Sequence, residues 1–230
     1  MSMSTAESKY HSVEIRARTS KGTSSEPIYE MVARTLTGRH PGGGTLLDVG
    51  CGTGNLRAYV SGICSRYVGT DTVRYEGFPA DAEFCKFDFD QGRLPLTDGF
   101  ADVVTAVETI EHLENPRAFV RELVRLARPG GWIVLTTPNQ LSLLSKMTLV
   151  LKNEFNAFRR NNYPAHLTAL LEVDLRRIAA ECGLTEVTIG YSLRGRIPGT
   201  SLFHPKWLSR LMPRTLSDNF LMAGRKPIKP

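Results

Sequence analysis

The stretch LLDVGCGTGN, residues 46–55, decides the fold of this chain. A short apolar strand leads directly into three glycines at alternate positions, Gly50, Gly52 and Gly54, and a helical pattern begins after them. Glycine permits any backbone φ angle and has no Cβ, so such a loop lets its backbone come close to a ligand. The stretch therefore predicts a ligand-binding loop at the end of a buried strand.

The pattern around this loop extends the prediction to a whole sheet. From Thr45 onward, short apolar runs alternate with helical patterns, which is typical of an α/β fold with a parallel sheet covered by helices on both faces. Strands are predicted near 45–49, 66–70, 83–87, 101–107, 131–137, 184–190 and 219–225. Helices are predicted over 55–61, 116–128 and 174–182, with Pro129-Gly130-Gly131 ending the second.

The composition of the chain indicates the cellular compartment that we expect for this protein. The chain has 230 residues, 41% hydrophobic and 23% charged, and no apolar run approaches the ~18 residues needed to span a bilayer. Its polar N-terminus lacks the apolar core of a signal peptide, and its four cysteines form no CxxC pair. We therefore expect a cytoplasmic protein with reduced thiols. The net charge of +6 is scattered along the chain, which makes a nucleic-acid partner unlikely.

The predicted organisation has two parts and one insertion. An N-terminal arm and first helix cover 1–44, and a single domain covers 45–230. Within it, an apolar segment at about 138–164 interrupts the alternation of strands and helices. Its large apolar residues recur at helical spacing: Leu141, Leu144, Leu151, Phe155 and Phe158. We interpret the segment as an amphipathic lid packed on the carboxyl edge of the sheet, with contact to a membrane surface as the alternative.

Two acidic residues indicate which class of ligand the glycine loop binds. Asp71 ends the second strand in VGTD, where a carboxylate can accept both hydroxyls of a ribose. Asp88 follows the third strand in KFDF and is placed to accept an adenine amino group, with Phe89 beside the ring. The GxGxxG fingerprint of dinucleotide-binding domains is not met, because Arg57 stands where the last glycine is needed. A dehydrogenase is therefore disfavoured.

These motifs together resemble the class I S-adenosylmethionine-dependent methyltransferases. The resemblance covers about 45–139 and rests on LLDVGCGTG, VGTD, FDF, LPLTDGFADVVTAVETIEHLENP and LARPGGWIVLTTPN in this order. It implies a seven-stranded Rossmann-like methyltransferase sheet of order 3-2-1-4-5-7-6, whose last, antiparallel strand is NFLMAGRK at 219–226.

The resemblance also assigns cofactor-binding roles. It implies that the glycine loop holds the methionine part of S-adenosylmethionine, with Asp48 supporting the loop from inside. Asp71 then holds the ribose, and Asp88 with Phe89 holds the adenine. The simpler alternative is that Asp71 caps a helix and that the glycines only turn the chain.

The stretch ETIEH, residues 108–112, carries the candidate catalytic groups. The fourth strand brings Glu108 to the carboxyl edge of the sheet, and a helix starting there would place Glu108, Glu111 and His112 on one face. Two carboxylates and an imidazole suit a hard divalent ion such as Mg²⁺ or Mn²⁺, and His166 is a fourth candidate ligand. Ubiquinone-biosynthesis O-methyltransferases are similar here, as are small-RNA 2′-O-methyltransferases, whose Glu-x-x-Glu-His motif and later histidine bind a metal.

Other interpretations of ETIEH stay open at this point. Glu108 can contact the cofactor, Glu111 can complement a helix N-terminus, and His112 can act as a metal-free general base or pack structurally. We expect a methyltransferase acting on a hydroxyl of a small molecule, such as a sugar, a phenol or a lipid-linked precursor. The alternatives are an RNA 2′-O-methyltransferase and a non-catalytic cofactor-binding module.

Overall fold

The computed structural model describes residues 19–228, so residues 1–18 of the predicted arm lie outside the described part. The strands in this part are β1 Thr45–Val49, β2 Arg66–Asp71, β3 Glu83–Lys86, β4 Ala101–Ala106, β5 Ala127–Pro138, β6 Thr185–Tyr191 and β7 Asn219–Arg225. The α-helices are α1 Glu26–Thr37, α2 Leu56–Val60, α3 Pro116–Leu126, α4 Leu143–Lys152, α5 Glu172–Glu181 and α6 Lys206–Leu211. Short 3₁₀ helices lie at Phe89–Gln91, Ile110–His112, Asn156–Phe158 and Arg160–Asn162.

The strands form one sheet in the order β3-β2-β1-β4-β5-β7-β6. Neighbours from β3 to β5 are parallel, and β7 is antiparallel to both β5 and β6. The predicted α/β class, strand order and antiparallel last strand are therefore confirmed. The order reverses beside β1, and the carboxyl ends of β1, β2 and β4 meet at the edge where open α/β sheets bind ligands.

Alternation along β1 builds a core on each face of the sheet. Leu46 packs with residues of α1 and α2, whereas Leu47 packs with residues of α3 and α5. The strand is buried on both sides, as expected for the centre of a parallel sheet. Helix α1 therefore shares the core of the sheet, and Val32 on its inner face is completely buried.

The boundary between α3 and β5 differs most from the prediction. Helix α3 begins at Pro116, where the Asn115 side chain accepts a hydrogen bond from the Ala118 N–H (3.0 Å), and it ends at Leu126. The predicted end at residue 128 is wrong, because the chain enters β5 at Ala127. Gly131 fits there because an added Cβ would lie 2.9 Å from the carbonyl oxygens of Arg128 and Asp102.

The segment 138–164 contains α4, as predicted, but the packing of this helix differs from the prediction. Ser145 and Thr148 are the buried residues of this helix, while Leu151 is 75% exposed. The Ser145 hydroxyl accepts from the Asn156 N–H (3.2 Å) and donates to Gln140 Oε1 (3.3 Å). The expected apolar packing is therefore wrong for Leu151, because the side of the helix that carries Ser145 and Thr148 faces inward. The other apolar residues named in the prediction are half-buried: Leu141, Leu144, Phe155 and Phe158.

Candidate active site

A cleft of about 330 Å³ opens at the carboxyl edge of the sheet. Its lining residues come from the segment before α1, the glycine loop after β1, and the ends of β2 and β4. The loop after β3 and the first residue of β7 complete it. Parallel strands thus converge on one cavity, so groups far apart in the sequence face a common ligand.

The glycine loop has the backbone conformation that its sequence predicts. Gly50, Gly52 and Gly54 all have positive φ angles, between 53° and 74°. A Cβ on Gly50 would lie 2.3 Å from Thr109 Oγ1, and one on Gly52 would lie 2.0 Å from the Gly22 carbonyl oxygen. Side chains are therefore excluded by close neighbours as well as by the left-handed backbone.

Asp71 connects the glycine loop to the end of β2. The Gly52 N–H donates to Asp71 Oδ2 (2.8 Å), and the Val73 N–H donates to Oδ1 (3.4 Å). Burial raises the pKa of this carboxyl, and these two backbone donors oppose the effect. Each carboxylate oxygen can accept a second hydrogen bond, so Asp71 can hold the loop and a diol together.

Asp48 lies beneath the cleft, at the end of β1. The Tyr67 hydroxyl donates to its Oδ2 (2.6 Å), and the Thr105 hydroxyl donates to Oδ1 (2.9 Å). Burial raises the pKa of Asp48 to about 6, against the effect of these two donors. Its hydrogen bonds thus join β1 to β2 and β4 below the glycine loop.

Asp88 and Phe89 form the wall on the β3 side. Asp88 Oδ1 accepts from the Asp90 N–H (3.0 Å), whereas its buried Oδ2 has no hydrogen-bond partner in the described part of the chain. Phe89 packs edge-on against Phe87 and Phe119, with ring centroids 5.8 Å apart in each pair. A buried, unpartnered acceptor beside an aromatic ring suits a ligand that carries an amino group on a flat ring.

Glu108 is oriented differently from the prediction. The 3₁₀ helix begins at Ile110, and Glu108 precedes it with a φ angle of 50°. Its Oε1 accepts from the Thr136 hydroxyl (2.9 Å) and its Oε2 from the Asn219 side-chain amide (2.7 Å). The prediction of a helix starting at Glu108, with all three acid and imidazole groups on one face, is wrong because β5 and β7 bind this carboxylate.

Glu111, His112 and His166 come together in the cleft. One potential ligand atom from each lies within 4.8 Å of the other two, and Glu108 is outside this group. His112 Nδ1 lies 2.7 Å from the Ala165 carbonyl oxygen. A carbonyl only accepts, so Nδ1 carries the proton and the lone pair of the neutral ring is on Nε2. The His166 ring lies edge-on to His112, with centroids 4.8 Å apart.

The electrostatics of this cluster favour uncharged groups. Glu111 is completely buried, and neither of its carboxyl oxygens has a hydrogen-bond partner among residues 19–228. Burial raises its pKa to about 8. Burial, and then the Glu111 charge, raises the pKa of Glu108. Burial and the neighbouring His112 lower the pKa of His166 to about 4.

Two contributors to the cleft were not predicted from the sequence. Asn219, the first residue of β7, reaches Glu108 from 111 positions away in the chain. The segment before α1 lies against the glycine loop, where the Gly22 carbonyl accepts from the Thr53 N–H (2.8 Å). The local signal in the sequence is the glycine at position 22. It has a positive φ angle (60°) in the structure, and glycine permits such an angle at a close approach.

Comparison with known proteins identifies the family. A family model described as "Methyltransferase domain" matches residues 25–189, which span the glycine loop and the ETIEH stretch. The chain belongs to this methyltransferase family. This is the family of the class I S-adenosylmethionine-dependent methyltransferases, as the sequence motifs predicted.

Curated relatives support the same assignment. A Mycolicibacterium smegmatis protein named a probable S-adenosylmethionine-dependent methyltransferase is 32% identical over 150 residues, covering 64% of this chain and 55% of that protein. A ubiquinone biosynthesis O-methyltransferase of Thiobacillus denitrificans is 29% identical over 196 residues, covering 80% and 79%. The matched stretch spans about half the length of several of these relatives.

The fold comparison agrees with the sequence comparison. An S-adenosylmethionine-dependent methyltransferase from Archaeoglobus fulgidus superimposes with a TM-score of 0.60 at 19% identity, covering 86% of this chain and 94% of that one. The seven-stranded α/β methyltransferase fold is therefore shared.

Proposed function

We propose that this methyltransferase transfers a methyl group to a hydroxyl oxygen of a small molecule. The observation that carries the proposal is the position of His112, which lines the same cleft as the glycine loop and has its Nδ1 fixed on the Ala165 carbonyl. The relative named a ubiquinone biosynthesis O-methyltransferase supports an oxygen acceptor.

In this proposal, the cofactor contacts residues that line the wall of the cleft. S-adenosylmethionine, when bound, supplies an electrophilic methyl group on a sulfonium sulfur. We assign the methionine part to the loop around Gly52, the ribose hydroxyls to Asp71 and the adenine amino group to Asp88 Oδ2, beside Phe89. Asp88 Oδ2, which has no hydrogen-bond partner among residues 19–228, and the absence of side chains at Gly50, Gly52 and Gly54 fit this arrangement.

His112 is the proposed general base. Methyl transfer is faster when the acceptor oxygen loses its proton as it attacks, and a neutral imidazole near pH 7 suits this step. With Nδ1–H held by Ala165, the basic Nε2 takes the acceptor proton. Glu111 is close by, and its raised pKa keeps it protonated near neutral pH, so the cluster holds no carboxylate that would charge the imidazole in advance.

A metal-assisted version uses the same residues. The two Glu111 oxygens, which have no hydrogen-bond partner in the described part of the chain, form with the rings of His112 and His166 a donor set that fits a divalent ion. Such an ion would acidify the acceptor hydroxyl, and Glu111 would have to lose its proton to bind it. Glu108 is not part of this set, since Thr136 and Asn219 occupy its carboxylate oxygens.

We also propose that residues 138–164 close over the acceptor. Phe158, just after α4, lies edge-on to His166 with ring centroids 5.3 Å apart, so this segment reaches the cleft. Slower amide hydrogen exchange across 138–164 with cofactor and acceptor bound is the expected result. Equal exchange with and without ligands would contradict the closure.

The experiment begins with labelled S-adenosylmethionine and a panel of phenols, sugars, lipid-linked hydroxyls and RNA. With an accepted substrate, His112→Ala should lower turnover by ~10²–10⁴-fold, the usual effect of losing a positioned base, while cofactor affinity stays nearly unchanged. His204→Ala is the control, because His204 does not line the cleft. Loss of activity with a chelator and recovery with Mg²⁺ or Mn²⁺ selects the metal-assisted version. Normal turnover of His112→Ala, or methylation of RNA alone, would refute the proposal.

A further inference from the structure

Helix α4 exposes most of its large apolar side chains and buries its small polar ones. Val150 and Leu151 are 83% and 75% exposed, and Met147 is exposed as well, whereas Ser145 and Thr148 are buried. Water-facing helices in globular proteins usually have the opposite distribution. The outward apolar face of α4 has no partner among residues 19–228.

Helix α6 repeats this reversed pattern. Trp207 and Leu211 are 64% and 73% exposed, Met212 follows them at the surface, and the buried residue of the helix is Ser209. The Ser209 hydroxyl donates to the Leu216 carbonyl (3.2 Å), so its inward position satisfies the turn after the helix. Two separate helices thus turn serine inward and large apolar residues outward.

The two helices meet at their ends. The N–H of Leu143, the first residue of α4, donates to the Thr215 carbonyl just after α6 (2.7 Å). The Asn139 side-chain amide donates to the Arg214 carbonyl in the same turn (2.8 Å). The start of α4 therefore lies beside the turn that follows α6. The exposed apolar residues of the two helices are here named the α4–α6 surface: Met147, Val150, Leu151, Trp207, Leu211 and Met212.

Basic side chains flank this surface. Lys146 and Lys152 are exposed on α4, and Lys206 and Arg210 are exposed on α6. None of these four takes part in an ion pair of the described part of the chain. The nearby acid Glu154 is already paired with Arg160 (3.6 Å). The α4–α6 surface therefore combines an apolar centre with a positive rim.

We propose that the α4–α6 surface binds the face of a lipid bilayer that carries anionic headgroups. Exposed Trp, Leu and Val next to Lys and Arg is the composition of helices that lie in a membrane interface, where long basic side chains reach the headgroups. Lysine is depleted at protein–protein interfaces, so the three lysines around the patch favour lipid over a protein partner. No helix within residues 19–228 is long and apolar enough to cross the membrane, so the contact is peripheral.

The first test is co-sedimentation of the full chain with vesicles. Phosphatidylcholine vesicles containing phosphatidylglycerol should pellet the protein, pure phosphatidylcholine should retain much less, and added salt should release it. The assay needs neither cofactor nor acceptor, so its failure would leave the proposed methyl transfer intact.

Variants locate the contact. Lys146→Ala combined with Lys152→Ala should weaken partitioning roughly 25-fold, since each basic residue near an anionic surface contributes about fivefold. Leu151→Ser should weaken it by about tenfold. Ile228→Ser is the matched control: Ile228 is 69% exposed, but it lies beside Gly130 near the start of β5, away from α4. This control should bind vesicles as the wild type does.

Tryptophan fluorescence gives an independent readout. The chain has two tryptophans, and Trp132 is buried, so a change of solvent environment on vesicle binding reports Trp207. Anionic vesicles should shift the emission to shorter wavelength, and Trp207→Phe should abolish the shift.

Three outcomes of the vesicle experiments would overturn the proposal. These are equal binding to neutral and anionic vesicles, loss of binding in Ile228→Ser to the same degree as in Leu151→Ser, and no fluorescence shift. Self-association of the wild type that Leu151→Ser abolishes, without vesicle binding, would assign the surface to a second copy of the chain and would also overturn it.

Discussion

Replacing Glu111 by glutamine should make the stability of this protein less dependent on pH. Glu111 is completely buried and has no hydrogen-bond partner for either carboxyl oxygen among the described residues. A charge on Glu111 raises the pKa of Glu108. However, the Thr136 hydroxyl and the Asn219 side-chain amide donate hydrogen bonds to Glu108 and favour its ionised form. We therefore assign the proton that the pair retains to Glu111, whose pKa is about 8.

The direction of the pH dependence follows from the number of protons that the folded and unfolded states bind. An unfolded glutamate titrates near its ordinary value of about 4.5, whereas folded Glu111 keeps its proton up to about pH 8. Between these values the folded state binds more protons, so the free energy of unfolding falls as pH rises. From about pH 6 to pH 8 this one group accounts for a loss of about 2 kcal/mol. For a chain of this size, that is roughly 4–5 °C in Tm.

The measurement is thermal unfolding of the wild type and of Glu111→Gln across this pH range, with a chelator present. The gap in Tm between the two proteins should shift by about 4–5 °C in favour of the variant as pH rises. Exposed Glu76→Gln serves as control and should track the wild type at every pH. Parallel pH profiles for wild type and Glu111→Gln would refute the assignment of a neutral, buried Glu111.

Further predictions concern the walls of the cleft. Asp71→Ala should weaken S-adenosylmethionine binding by about tenfold or more in calorimetry, because a charged acceptor is lost; an unchanged Kd would contradict the ribose assignment. Asn219→Ala should lower the free energy of unfolding by about 1–3 kcal/mol in urea, because Glu108 Oε2 loses its donor; an unchanged midpoint would show that the contact is unimportant. Gly52→Ala should displace Gly22 and make residues 19–25 more accessible to proteolysis, since the new Cβ would lie 2.0 Å from the Gly22 oxygen; an unchanged cleavage pattern would argue against that close approach.

The sequence by itself determined the parts of this protein that depend on local pattern. Alternating apolar runs located all seven strands to within a few residues, because burial on both faces of a parallel sheet requires continuous apolar segments. The glycines of the loop were recognisable because only glycine readily adopts positive φ at such close approach. Asp71 and Asp88 followed from their positions at strand ends.

Only the tertiary structure decided which partners these residues have. Glu108 is three residues before Glu111 in ETIEH, yet Asn219 and Thr136 bind its carboxylate. The residue that lies against His112 is His166. Helical spacing cannot show this, because a side chain contacts whichever long-range neighbours the packed strands bring within reach. For the same reason, helical spacing showed which apolar residues of α4 share a face but not whether that face points toward the sheet or toward solvent. The inward side was decided by Ser145, whose hydroxyl satisfies loop groups that burial would otherwise leave unpaired.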